Sequence, residues 1–147
     1  MGGEVIGIAK RERPRAPMLQ LTEAEITVEA GLTGDFRGTV RGRQVTILTE
    51  EGWLAACAEL GADLPWITRR ANLLVRGVDI TGRVGARLLI GTSVLVITDE
   101  CDPCSVMEKA HKGLRKALIP GWRAGATCRV ARAGSIVLGD SAELQQI

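Results

Sequence analysis

Two of the chain's four cysteines, Cys101 and Cys104, stand three apart in Thr98-Asp99-Glu100-Cys101-Asp102-Pro103-Cys104. Such a pair can ligate a soft metal, cycle between dithiol and disulfide, or carry sulfur as a persulfide. The apolar run before it, residues 94–97, reads as a strand. After it, Val106, Met107, Ala110, Leu114, Ala117 and Leu118 recur at helical spacing. The cysteines therefore belong to a strand-to-helix corner. With Asp102 as N-cap and Pro103 at the first helical position, Cys104 falls in the first turn. Backbone N–H groups there favour a thiolate, while Asp99, Glu100 and Asp102 oppose it. A zinc site needs about four ligands. His111 is the only histidine, and Cys128 falls in a predicted strand. A thioredoxin-like dithiol expects its reactive thiol first and a βαβ setting, whereas a hairpin follows here. Two ordinary small residues at a corner are also an open reading. Cys57 and Cys128 read as core thiols.

A second set is basic. Arg69, Arg70 and Asn72 precede the apolar run at Leu73, and Asp35, Arg37, Arg41 and Arg43 lie in a glycine-rich stretch with Gln44 at its exit. Arginine forks on two loops, with glycines that let backbone approach a ligand, suit an anionic phosphate. Ordinary surface charge, with Asp35 paired to an arginine, is the plainer alternative. His111 has no assigned role.

These residues need elements to hold them. Residues 5–9 and 45–48 read as strands, as do 73–75, with an extension through 78–80 past Gly77. Ile26 and Val28 belong to another β-like stretch, and residues 11–17 and 31–42 are loops. Thr49 caps a helix with Glu50 and Glu51 in its first turn and Gly61 at its stop. Leu54, Ala55, Cys57 and Ala58 are its expected buried side. Residues 88–90 and 94–97 flank Gly91-Thr92-Ser93 as a hairpin. A helix over 105–118 ends at Pro120-Gly121. Residues 128–131 and 136–138 form a last hairpin across Ala133-Gly134. About seven strands that do not alternate with helices predict a mainly antiparallel, barrel-like β domain with a few peripheral helices.

Composition narrows the classes. The 147 residues suit one domain, expected over 1–147 with its core at about 3–141. Hydrophobic residues at 46% and charged residues at 24% exclude a disordered or fibrous chain. A net charge of +2, with basic residues spread along the chain, argues against a nucleic-acid partner. With no tyrosine and few aromatics there is little base-stacking surface. No apolar run reaches a membrane span of ~20 residues, and no signal-peptide pattern is present, so a cytoplasmic location is expected.

Taken in order, several stretches resemble the MOSC domain, the module named for the C-terminus of molybdenum cofactor sulfurases. They are Gly31-Leu32-Thr33-Gly34-Asp35-Phe36-Arg37, Arg43-Gln44-Val45-Thr46-Ile47-Leu48, and Arg69-Arg70-Ala71-Asn72-Leu73-Leu74-Val75-Arg76-Gly77-Val78-Asp79. Val94-Leu95-Val96-Ile97-Thr98, Pro103-Cys104 and Gly134-Ser135-Ile136-Val137-Leu138-Gly139-Asp140 follow. The chain is similar to the short, stand-alone bacterial type. The resemblance implies a barrel-like β fold and a single key cysteine, which falls on Cys104. It implies that this thiol carries sulfur or ligates molybdenum, a metal that takes soft sulfur donors. It places cofactor-phosphate contacts on Arg69, Arg70 and Asn72 and on the stretch holding Asp35, Arg37, Arg43 and Gln44. The implied cofactor is the molybdenum cofactor, Mo-molybdopterin. The implied partner is a separate pyridoxal-phosphate-dependent cysteine desulfurase, or an electron-donor protein. Cys101 departs from the family pattern and opens a Cys101–Cys104 disulfide or persulfide relay. A molybdenum-cofactor oxidoreductase acting on small N-hydroxylated or N-oxide compounds, and a structural or regulatory β domain without cofactor, are the alternatives.

Overall fold

Alternation of apolar residues sets the architecture. In the computed structural model, which describes residues 2–145, Val45, Ile47, Leu73, Val75, Leu95, Ile97, Ala126 and Cys128 point to one side of their strands and pack in one buried cluster. Residues between them, such as Thr46, Asn72 and Thr127, must then face the other way. Met1, Gln146 and Ile147, the ends of the expected 1–147 domain, lie outside the described residues.

Seven strands close into a barrel around that cluster. Their order is β1 (Gly3–Lys10), β11 (Ser141–Gln145), β7 (Arg87–Ile90), β8 (Ser93–Glu100), β9 (Ala126–Arg132), β5 (Val45–Thr49) and β6 (Leu73–Arg76), which returns to β1. Only β5 and β6 are parallel; the other neighbours are antiparallel. A bulge between Val5 and Gly7 shifts the register, so that Val5 and Ile8 both reach the interior. β2 (Leu19–Leu21) extends the sheet from the far half of β1. A second sheet joins β3 (Glu23–Thr27) to β4 (Gly31–Leu32) and β10 (Gly134–Val137), and its Ile26, Leu32 and Ile136 belong to the barrel core. The barrel-like, mainly antiparallel expectation therefore holds.

On the outer face, Leu48 and Leu74 are covered by α1 (Glu50–Leu60), α2 (Ser105–Ala110) and α3 (Leu114–Ala117) in a second apolar cluster. Thr49 caps α1 by accepting a hydrogen bond from Gly52 N, and Gly61 stops it in the left-handed region. Thr49→Ala should cost about 1 kcal/mol of stability, read by urea denaturation, since it strips a helix start of its side-chain acceptor.

Four local expectations are corrected. The buried side of α1 is Trp53, Ala56 and Cys57, whereas Leu54 is 55% exposed and Ala58 is also exposed. Trp53 sets that face, its indole N–H donating to the Leu64 carbonyl at 2.9 Å. The helix over 105–118 is two short helices, because His111 is extended and Gly113 takes φ 89°. The Glu108 carboxylate bridges the break by accepting from Gly113 N and Arg115 N. Residues 78–80 do not continue β6, which ends at Gly77 with φ 78°. Finally, β10 pairs with β3 rather than with β9: Ser135 is tied to Thr92 through both its N–H and its carbonyl, and this carries the chain across to the second sheet.

Candidate functional site

The outward residues of three barrel strands form the floor of a cleft. Thr46 on β5, Asn72 at the start of β6 and Thr127 on β9 lie there, beside the exits of β1 and β8. Arg11, Asp35, Arg37, Arg43, Arg69 and Arg70 line it together with Cys101, Asp102, Cys104, Val106 and Met107, and Arg69 and Arg43 lie close enough to Cys101 to act on its thiol. The cleft has a volume of about 270 Å³. Two stretches far apart in sequence, the arginines and the cysteine corner, thus meet on the outside of the barrel.

The floor is built by Asn72. Its Oδ1 accepts from Thr46 N at 3.0 Å, its Nδ2 donates to the Ala9 carbonyl at 3.2 Å, and its backbone N–H donates to Thr46 Oγ1. One amide therefore fixes β1, β5 and β6 together, through its Oδ1 and one of the two Nδ2 hydrogens.

The arginine wall is held from behind. Asp35 is buried, and its two oxygens accept from Arg11 N at 2.9 Å and Arg37 N at 3.2 Å. The Phe36 ring sits between these anchor points, with the guanidinium carbons of Arg11 and Arg37 at 4.8 and 5.3 Å from its centroid. Arg69 Nε donates to the Ala124 carbonyl at 2.7 Å, and the Arg70 guanidinium donates to the Ala16 carbonyl. Arg70 itself adopts φ 64°, closing the 3-10 turn Trp66–Arg69. A left-handed arginine costs about 1 kcal/mol of strain and is often found where a side chain must be aimed. Five arginines against two aspartates make the cleft electropositive.

Gln44 lies elsewhere. It is buried beneath the loop, donates from Nε2 to the Val28 and Gly38 carbonyls, and accepts at Oε1 from Val130 N at 2.8 Å. It shapes the loop that carries Asp35 and Arg37 but does not line the cleft. Arg41 is exposed and outside it as well.

The cysteine corner differs from its expected register. The ladder with β9 persists to Cys101, whose N–H donates to the Gly125 carbonyl at 2.9 Å. Three residues are then spent before the first turn. The N-cap is Cys104 with extended backbone, φ −123° and ψ −179°, and its side chain makes no cap bond. Asp102 is not the cap, and Pro103 precedes the helix rather than opening it. Both thiols are free, but their settings differ. Cys104 is exposed, whereas Cys101 is only 5% exposed, in the outer apolar cluster. Burial pushes the Cys101 thiol up, and the guanidiniums of Arg69 and Arg43 pull against it. Cys128 lies inside the barrel, where burial pushes its thiol far up. No group of three or more His, Cys, Asp or Glu among the described residues is placed to hold a metal ion. Iodoacetamide on the native protein should therefore label Cys104 alone, with Cys57, Cys101 and Cys128 reacting only after denaturation, as peptide mapping would read.

The structure brings together Asp35, Arg37, Arg43, Arg69, Arg70, Asn72, Cys101 and Cys104. It adds Arg11, Thr46 and Thr127, to which the motifs gave no role, together with Asp102 and Met107 of the cysteine corner. Thr46 and Thr127 carried a signal: in Val45-Thr46-Ile47 and Ala126-Thr127-Cys128 the polar residue must face away from the core. Arg11 had none beyond its charge.

No helix among the described residues is long and apolar enough to cross a membrane. A family model described as the MOSC domain matches residues 32–143. No curated protein matches the chain. Among solved structures, the YuaD protein from Bacillus subtilis superposes with a TM-score of 0.84 at 20% identity, over 100% of this chain and 97% of that one. YiiM from Geobacillus stearothermophilus gives 0.77 at 15% identity, over 98% and 75%. YiiM from Escherichia coli gives 0.73 at 17% identity, over 100% and 71%. At these identities the likeness establishes the fold.

Proposed function

Because the chain belongs to the MOSC domain family, which is linked to the molybdenum cofactor, we propose that it is a sulfur-carrying module of that cofactor's chemistry, with Cys104 as the carrier thiol or as a ligand to molybdenum. The observation that carries this reading is the exposed Cys104 thiol in a cleft walled by five arginines. The donor set fits the group: a soft thiolate suits molybdenum, and guanidinium forks suit a phosphate. When bound, the cofactor would supply a metal centre able to take up sulfur and exchange electrons. Arg37, Arg43, Arg69 and Arg70 would hold its phosphate, and Cys104 would meet its metal end.

The chain's own chemistry is thiol exchange. The Cys104 thiolate attacks the outer sulfur of a donor persulfide, such as one on a separate pyridoxal-phosphate-dependent cysteine desulfurase. A new S–S bond forms on Cys104, the donor S–S bond breaks, and the donor cysteine leaves as a thiolate with no net change of oxidation state. Asp35 and Asn72 act by position: one holds the arginine wall and the other the floor.

The test is intact-mass and elemental analysis of protein purified without oxygen from a molybdenum-replete host. A +32 Da adduct on Cys104, or about one molybdenum per chain, is the expected result. Protein lacking both would leave a structural or regulatory domain. Turnover of N-hydroxylated or N-oxide compounds by molybdenum-loaded protein with an artificial electron donor would move the assignment to an oxidoreductase.

A further inference from the structure

Sulfur transfer through Cys104 leaves Cys101 without a task. Cys101 is 5% exposed, yet it belongs both to the outer apolar cluster and to the lining of the cleft. Cys104 is exposed and lines the same cleft. Cys57 shares the outer cluster but does not line the cleft, and Cys128 lies inside the barrel. One thiol of the corner therefore meets solvent, while the other stands three residues back and shielded. A thiol so buried is out of reach of a donor protein, and the partner open to it is a group within the cleft.

Little holds the segment between the two thiols. β8 is tied as far as Cys101, whose N–H donates to the Gly125 carbonyl at 2.9 Å. α2 is tied from Cys104 onward, whose carbonyl accepts from Met107 N at 3.0 Å. Asp102 and Pro103, between these ties, make no main-chain hydrogen bond among the described residues. The Cys104 side chain has no cap bond to give up. A disulfide asks for a Cα separation of about 4.4–6.8 Å, and the two untied residues are where the corner can adjust to it. The guanidiniums of Arg69 and Arg43 lie near Cys101 and favour its thiolate, the form that attacks.

We propose that Cys104 is a site of reversible oxidation by hydrogen peroxide and that Cys101 is its resolving thiol. Exposed Cys104 meets the oxidant first. Its thiolate attacks one peroxide oxygen, the O–O bond breaks, and Cys104 becomes a sulfenic acid while hydroxide leaves. Cys101 then attacks the Cys104 sulfur. The S–O bond breaks, a Cys101–Cys104 bond forms, and the oxygen leaves as water with the Cys101 proton. In sum two thiols are oxidised and one peroxide is reduced to two waters. Without a resolving thiol, Cys104 would go on to sulfinic acid, which thiols do not reverse. The disulfide occupies the carrier thiol, so sulfur loading stops until a small thiol such as glutathione reopens the bond by exchange. The stop rests on the carrier reading above; the bridge itself does not.

Reduced, sulfur-free protein treated with a small molar excess of hydrogen peroxide tests it. Both cysteines fall in one tryptic peptide, residues 88–109, because no Lys or Arg separates them. In wild type that peptide should lose two hydrogens and stay unlinked to any other. Iodoacetamide labelling of Cys104 should drop about 10-fold and return with dithiothreitol. Glutathione persulfide should load the oxidised protein with less than about one tenth of the sulfur that the reduced protein takes, and dithiothreitol should restore this too. In Cys101→Ala the same treatment should leave Cys104 with two added oxygens that dithiothreitol does not remove. Wild-type mapping decides the matter even if that variant does not fold. Irreversible oxygens on Cys104 of wild type overturn the proposal, as does peptide 88–109 joined to the Cys57 peptide or to a second chain. Full recovery of Cys101→Ala with dithiothreitol overturns it as well. The two readings fail separately. Protein that forms the bridge but never loads sulfur would keep Cys101 as the resolving thiol and sink the carrier reading. Protein that loads sulfur on Cys104 yet forms no bridge would do the reverse.

Discussion

Cys104→Ala should abolish sulfur loading and leave the barrel folded. The +32 Da adduct drops from about one per chain to none, and any molybdenum retained with it is lost. The separation of effects follows from position. The Cys104 side chain is exposed and makes no cap bond at α2, so its removal should change stability by no more than about 0.5 kcal/mol. Its thiol is also the one a donor protein can reach, since Cys57, Cys101 and Cys128 are buried. Mass spectrometry after incubation with a persulfide donor reads the first effect, and urea denaturation reads the second. A variant that still carries a full adduct would remove Cys104 from the transfer and point to Cys101 behind it.

Gly38→Ala should damage both fold and cleft. A Cβ at Gly38 would overlap the Ala30 carbonyl oxygen, which is backbone and cannot swing away. Gly38 also accepts from Gln44 Nε2 and donates to the Asp35 carbonyl, so the loop is fixed from two sides. The expected cost is about 3 kcal/mol, at the upper end of overpacking. In a chain of this size that lowers Tm by roughly 10 °C. The loop must shift to relieve the overlap, and Asp35 shifts with it. Arg11 and Arg37 then lose their common anchor, and phosphate-ester binding should weaken along with stability. Gly42→Ala is the contrast, because a Cβ there meets nothing and only the left-handed backbone, φ 76°, is penalised, by about 1 kcal/mol. Thermal unfolding of the two variants should separate them clearly; equal Tm values would mean that the loop is not held as described.

How far the sequence could be read depended on the range of the interaction. The alternation around Val45 and Leu73 and the cap at Thr49 are local, and each was visible in a few residues. The break at Gly113 was harder, because its apolar neighbours keep helical spacing on both sides and only the backbone angle shows the interruption. The pairing of β10 with β3 joins residues over a hundred positions apart, and a Gly-containing turn after β9 imitates a hairpin. At the site, the glycine-rich loop and the arginine pair were legible by type, and the family resemblance gave their order. Their individual tasks were not. Gln44 looks like a ligand group in sequence, yet its amide is consumed by Val28, Gly38 and Val130, while Asn72 lines the cleft and also ties Thr46 to Ala9. Arg11 looks like loop charge until the fold lays it on Phe36.

The seam of the barrel bears on how fast the protein can form. Closure pairs Gly3 and Glu4 of β1 with Ala142 and Ser141 of β11, the first strand with the last. Such a pairing has the longest loop the described chain can offer, and its entropy must be spent before any contact across the seam rewards it. Refolding on a timescale of roughly milliseconds to seconds follows, as for other β topologies rich in distant contacts. Until the seam shuts, the edges of β1 and β11 and the apolar interior are open to other chains, which makes the unclosed barrel the species that aggregates. β9 lies across the ring from that seam, whereas β6 adjoins β1, so the cleft's floor runs from the far side of the barrel to the strand beside the last pairing to close.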